Sequence, residues 1–202
     1  MALEKDLKEA ILAMPQSEKD KILLRLIAKN DTLVKQLTFQ LLEFGETLET
    51  RKKKIVKYID RIYEHEPDSA GWLMMDMRSA NAEITDFFKT TKDKYGEIEL
   101  TIYLIAECYR KHGHLLAKSM RQRGYTLAEY VSKRTDAILK KLVKLHPDIQ
   151  FDFHKDMNYI LDRIHSSLAE INAKELNLPR VFEIKDICNF DIKSCNLLII
   201  SE

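Results

Sequence analysis

The chain has little glycine or proline, five and four in 202 residues. An all-β fold needs many tight turns, and this supply is too small for one. No run approaches ~18 consecutive apolar residues, which excludes a helical membrane span, and no membrane partner is expected. The start, "MALEKDLKEAIL", is charged from the fourth residue and lacks the basic and apolar regions of a secretory signal. Cysteine is scarce too. Cys108, Cys188 and Cys195 are odd in number and form no CxxC pair, so a structural zinc lacks its ligands. Free thiols and a cytoplasmic location are the expectation. GxSxG, Walker A, HExxH, GxGxxG and EF-hand patterns are all missing. No catalytic residue, cofactor or metal is therefore expected.

Hydrophobic residues make up 45% of the chain and charged residues 32%, which fits a globular protein with a surface rich in ion pairs. A chain of this length should bury roughly 70% of its unfolded surface. Net charge is only +1, yet it is unevenly spread: residues 101–145 carry ten Lys/Arg against three Asp/Glu, and residues 146–202 six against ten. A positive region is thus the one partner signal in the composition.

The glycines and prolines fall where helices would end. Pro15 precedes Ser17, a capping residue with Asp20 three positions on. A helix restarting at Asp31 would close at Gly45. Pro67, Asp68 and Ser69 stop one helix and cap the next, and Pro147 with Asp148 repeats this. Gly96, Gly113 and Gly124 are candidates for left-handed helix ends, and Thr126 with Glu129 for a capping box. Apolar residues between these marks recur at helical spacing. Ile55, Ile59 and Ile62 form one stripe; Leu73, Met77, Ala80, Ile84 and Phe87 a second. Ile98, Ile102, Ile105 and Tyr109 form a third, and Leu127, Val131, Ile138, Leu142 and Leu145 a fourth. "LVKQLTFQLLEF" (33–44) is apolar nearly all round, which predicts a central, buried helix.

The expected fold class is all-α: antiparallel helix hairpins packed as a bundle or short solenoid. Residues 1–178 form one helical domain, with sub-units 1–45, 46–96 and 97–178. Residues 179–202 form an extended or poorly ordered tail, where "FEIKDICN" is nearly repeated by "FDIKSCN" and "NLLII" needs cover. At an offset of 80 residues, Ile59, Ile62, Pro67, Asp68, Met77 and Ile84 match Leu139, Leu142, Pro147, Asp148, Met157 and Ile164. A helix–turn–helix hairpin is thus used twice.

"DFHKDMNYILDRIH" (152–165) concentrates polar groups. On one helix spanning 151–171, Met157, Ile160, Leu161, Ile164, Leu168 and Ile171 take the core face. His154, Asn158 and His165 border it. As metal ligands His154 and His165 fail, because eleven residues at ~1.5 Å rise separate them by ~16 Å. They read as a boundary. His112 and His114 in "KHGH" read as helix-end residues, where imidazolium favours the dipole.

A basic set, Arg51, Lys52, Lys53, Lys54, Lys57, Lys118, Arg121, Arg123, Lys140, Lys141 and Lys144, could meet nucleic-acid phosphates if it shared a face. Interleaved aromatics are few, so a solvated face competes with that reading. In "GWLMMDM", Trp72 and Asp76 are one turn apart, which resembles the base-cradling pair of HEAT-like alkylpurine DNA glycosylases; beside Leu73 and Met77, Trp72 reads as core. Arg134, at the edge of its stripe, should snorkel. The Pro67-Asp68 turn, "YGEIE" (95–99) and "FH" (153–154) resemble, over residues 50–165, an uncharacterised family of small all-helical bacterial proteins with no assigned function. That likeness implies helices and no chemistry.

The function expected is a non-enzymatic helical protein that docks a protein partner or a second copy of itself. The alternative is a nucleic-acid-associated protein using residues 51–57 and 101–145. An enzyme with a site between helices near Trp72, Asp76 and Asp156 comes last.

Overall fold

The computed structural model describes residues 4–43 and 46–184, with the side chains of 46 and 120–122 left aside. Gly45, Cys188, Cys195, "NLLII" and the repeated tail motif from residue 185 onward lie outside the described residues. Within them the chain is all-α, with no strand. Three helices come first: α1 (Lys5–Ala13), α2 (Gln16–Ala28) and α3 (Asp31–Leu41). Five long ones follow: α4 (Glu46–Ile62), α5 (Ala70–Thr91), α6 (Lys94–His112), α7 (Arg121–Leu142) and α8 (Pro147–Ser166). The short α9 (Glu170–Glu175) closes the set.

The long helices form an up-and-down bundle around α6. It packs against α4, α5, α7 and α8, and α5 also packs against α7. That position explains its sequence. Ile98, Ile102, Ile105 and Tyr109 face one way, while Leu100, Leu104 and Cys108 fill the other sides, all of them buried. The stripes predicted for α5 and α7 are buried as well, apart from a half-buried Leu145 just past α7. The two hairpins matched at an offset of 80 residues, α4–α5 and α7–α8, both pack on α6. Their turns differ. Ser69 caps α5 by accepting from the Trp72 amide, whereas Pro147 is the first residue of α8 and the His146 side chain caps it.

Polar ties cross the bundle where buried groups need partners. The Tyr63 hydroxyl donates to the Leu104 carbonyl at 2.7 Å, and the Tyr130 hydroxyl to the Met77 carbonyl at 3.3 Å. The Lys141 ammonium reaches the nearly buried Glu97 carboxylate at 2.5 Å, joining α7 to α6.

Several expectations are corrected. The stretch 33–44 is not the central helix: α3 contains no buried residue and leans on the outside of α5, and the central role belongs to α6. No described glycine takes a positive φ; Lys92 and Asn177 do, at 60° and 53°. Gly96 sits in the first turn of α6, Gly113 in a 3-10 turn, and Gly124 inside α7. Gly124 is there for close approach, since a Cβ would collide with the Leu115 carbonyl oxygen. Thr126 and Glu129 are interior to α7 rather than a capping box, and Pro15, not Ser17, occupies the cap of α2. The helix expected over 151–171 breaks after Ser166. Ser167 is extended, the Leu168 amide donates to the Leu116 carbonyl at 2.8 Å, and Ile171 is left exposed.

Candidate interaction surface

The basic residues go to scattered places, and many already have carboxylate partners. Arg51 forms a two-point bridge to Glu43 at 2.7 and 3.0 Å and lies over Phe39; that hydrogen bond holds the Glu43 carboxyl below its ordinary value. Lys52 bridges Glu99 at 2.6 Å and Glu49 at 3.3 Å. Lys118 meets Glu170 at 2.9 Å, Lys140 meets Asp136 at 2.6 Å, and Lys141 meets Glu97. Lys53, Lys54, Lys57, Arg123 and Lys144 are exposed, and the Arg121 side chain is outside the described residues. α5 and α6 lie between the two basic helices, α4 and α7.

The histidines behave as boundary and helix-end residues. Asn158 accepts from the Phe182 amide at 2.7 Å and donates to the Phe182 carbonyl at 3.3 Å, while His165 Nε2 lies 3.0 Å from the Pro179 carbonyl oxygen. The polar border of α8 thus fastens the segment that leaves the bundle. His112 is buried at the end of α6 beside Tyr63, and its two ring nitrogens lack hydrogen-bond partners. Glu66 Oε2 is 3.5 Å from its Nδ1, and Glu66 Oε1 is 2.7 Å from His114 Nε2. Among the described residues no three His, Cys, Asp or Glu side chains are placed to hold a metal ion.

Trp72 is another correction. It is 58% exposed, because Ala70, Leu73 and Met77 take the core side of α5. It lines a cleft of about 380 Å³ with Tyr58, Arg61, His65, Glu66, Asp68 and Asp76. No serine, threonine or cysteine lines that cleft. Asp156 is not part of it; it pairs with Arg110 at 2.7 Å. Arg134 lies half-buried over the Tyr130 ring, at the stripe edge as expected.

The feature missed from sequence is the N-terminal arm, α1–α3. None of its residues is buried. Eleven of the nineteen exposed large hydrophobic side chains among the described residues belong to positions 4–43. They are Leu7, Ile11 and Leu12 from α1, Ile22, Leu23, Leu24 and Leu26 from α2, and Leu33, Val34, Leu41 and Leu42 at or just after α3. Two helix starts and one helix end divide the arm: Pro15 begins α2, Lys29 ends it, and the Asn30 side chain accepts from the Leu33 amide to begin α3. α3 and Glu43 just past it tie the arm to the bundle. Lys35 bridges Asp86 at 2.9 Å, and Gln36 donates to the Lys89 carbonyl at 2.8 Å. α2 rests on α3, and α1 makes no extensive contact with any other described helix. A helix of nine residues is marginal in water without something to lie on.

No family model, no curated protein and no solved structure matches the chain. Among the described residues no helix is long and apolar enough to cross a membrane.

Proposed function

We propose that the protein is a non-enzymatic helical docking protein. The bundle of α4–α9 is the rigid body, and the arm α1–α3 presents an apolar face on which another polypeptide helix packs. One observation carries this reading: two successive helices, α1 and α2, expose leucines and isoleucines while burying nothing. Such a face lowers its free energy by association, at roughly 25 cal/mol for each Å² of apolar surface covered. The pairing of Arg51, Lys52, Lys118, Lys140 and Lys141 with carboxylates favours this over phosphate binding.

The test is the double variant Leu23→Glu/Leu26→Glu, which touches no buried residue. Association of the full chain, followed by sedimentation velocity and by chemical cross-linking in cell extract, should be lost, while the melting of the bundle is retained. A wild-type chain that forms no adduct in either setting, with the arm accessible throughout, refutes the reading.

A further inference from the structure

We infer that the polypeptide docked on the arm is a second copy of this chain, joined as a closed two-fold pair with the two α2 helices antiparallel. This rests on the docking reading above and names its occupant. Two observations select a second copy.

The first is the apolar strip. Ile22, Leu23 and Leu26 share one side of α2 and are all exposed, and the identical strip of a second copy matches that strip end to end.

The second is charge. The arm is not of one sign, as a surface selected for an acidic or basic partner would be. Residues 4–29 carry five acidic and six basic side chains, closely interspersed. Within α2 the order matters. Glu18 and Arg25 are two turns apart, on the same flank as Ile22, and neither enters an ion pair with a described residue. An antiparallel pair centred between Lys21 and Ile22 sets each Glu18 against Arg25 of the other copy. A two-fold contact makes every such pairing twice, so the patch is complementary to itself. The two helix dipoles then also run in opposite directions. A parallel pairing would instead place Glu18 on Glu18 and Arg25 on Arg25.

The test is the mass of the full chain in solution by light scattering or sedimentation equilibrium. The expected result at about 50 μM is twice the 23.7 kDa of one chain, falling to one chain on dilution. Leu23→Glu/Leu26→Glu should weaken the pair at least about a hundredfold with an unchanged bundle melt. Arg25→Glu should weaken it by placing like charges together, and adding Glu18→Arg should restore it; failure to restore overturns the antiparallel arrangement. A single-chain mass at 50 μM overturns the second copy. If the arm amides of that monomer are protected and deleting residues 185–202 exposes them, the chain's own tail is the occupant. If the monomer instead cross-links a different polypeptide in extract, and the double Glu variant does not, the docking reading survives and the self-pairing falls. Open-ended growth beyond two copies also overturns it.

Discussion

Replacing Ile105 by alanine tests the bundle at its centre. Ile105 sits midway along α6 with 0% exposure, between the hairpins that flank it. The change removes three methyl or methylene groups. At ~0.8 kcal/mol each, lost burial costs about 2.4 kcal/mol. Four surrounding helices leave little room for collapse, so the void adds about 1–2 kcal/mol more. The total is about 4 kcal/mol, a shift of roughly 10 °C in Tm for a chain of this size. Leu24→Ala in α2 is the control. Leu24 is 67% exposed, and its loss should change stability by less than about 0.5 kcal/mol. Both are read by urea unfolding followed by circular dichroism at about 1 μM chain, where association contributes least. A cost below about 1 kcal/mol for Ile105→Ala, or equal costs for both variants, would refute the assignment of α6 as the hub and of the arm as peripheral.

Other outcomes follow from particular contacts. Asn158→Leu should free the segment 179–184 by removing both hydrogen bonds to Phe182, seen as faster limited proteolysis there with the bundle melt lowered by about 1–3 kcal/mol. Burial pushes the Cys108 thiol up to about 12, so in native protein at pH 8 peptide mapping after maleimide treatment should find Cys108 unlabelled until denaturant is added. Hydrogen bonds from Lys118 and Lys174 lower the Glu170 carboxyl to about 2, below its ordinary 4.5. Its contribution is therefore complete above pH 4.5 and lost as pH falls toward 2, so the Tm gap between wild type and Glu170→Gln should close over that range. Gly124→Ala should destabilise by about 1–3 kcal/mol despite alanine's better helix propensity, because its Cβ meets the Leu115 carbonyl; a raised Tm would contradict that close approach.

Much of the bundle was legible because its signal is local. Leu73, Met77, Ala80, Ile84 and Phe87 recur at helical spacing and are all buried together, and Ser69 is the cap its position suggests. Trp72 is exposed despite its residue type because it lies one position off the stripe, and the stripe determines the buried side. The glycines misled because a helix can end without one, as α5 does on Lys92 in the left-handed conformation. Residues 33–44 misled for a deeper reason. Periodicity reports that a helix has an apolar face, not whether that face is covered by its own chain or by another. The signal that would have helped is length: α1 and α2 span nine and thirteen residues, with Pro15 and Asn30 breaking any longer helix. Short apolar helices separated from the bundle by breaks are where an unpartnered face is to be sought.

Amide hydrogen exchange on the full chain, at about 1 μM and again at about 50 μM, tests most directly the claim that the arm lies outside the core and is covered only by association. Amides of α6 should be protected at both concentrations, while those of α1 and α2 exchange within seconds at the lower and slow by at least tenfold at the higher. Arm amides as slow as those of α6 in the dilute sample would contradict it.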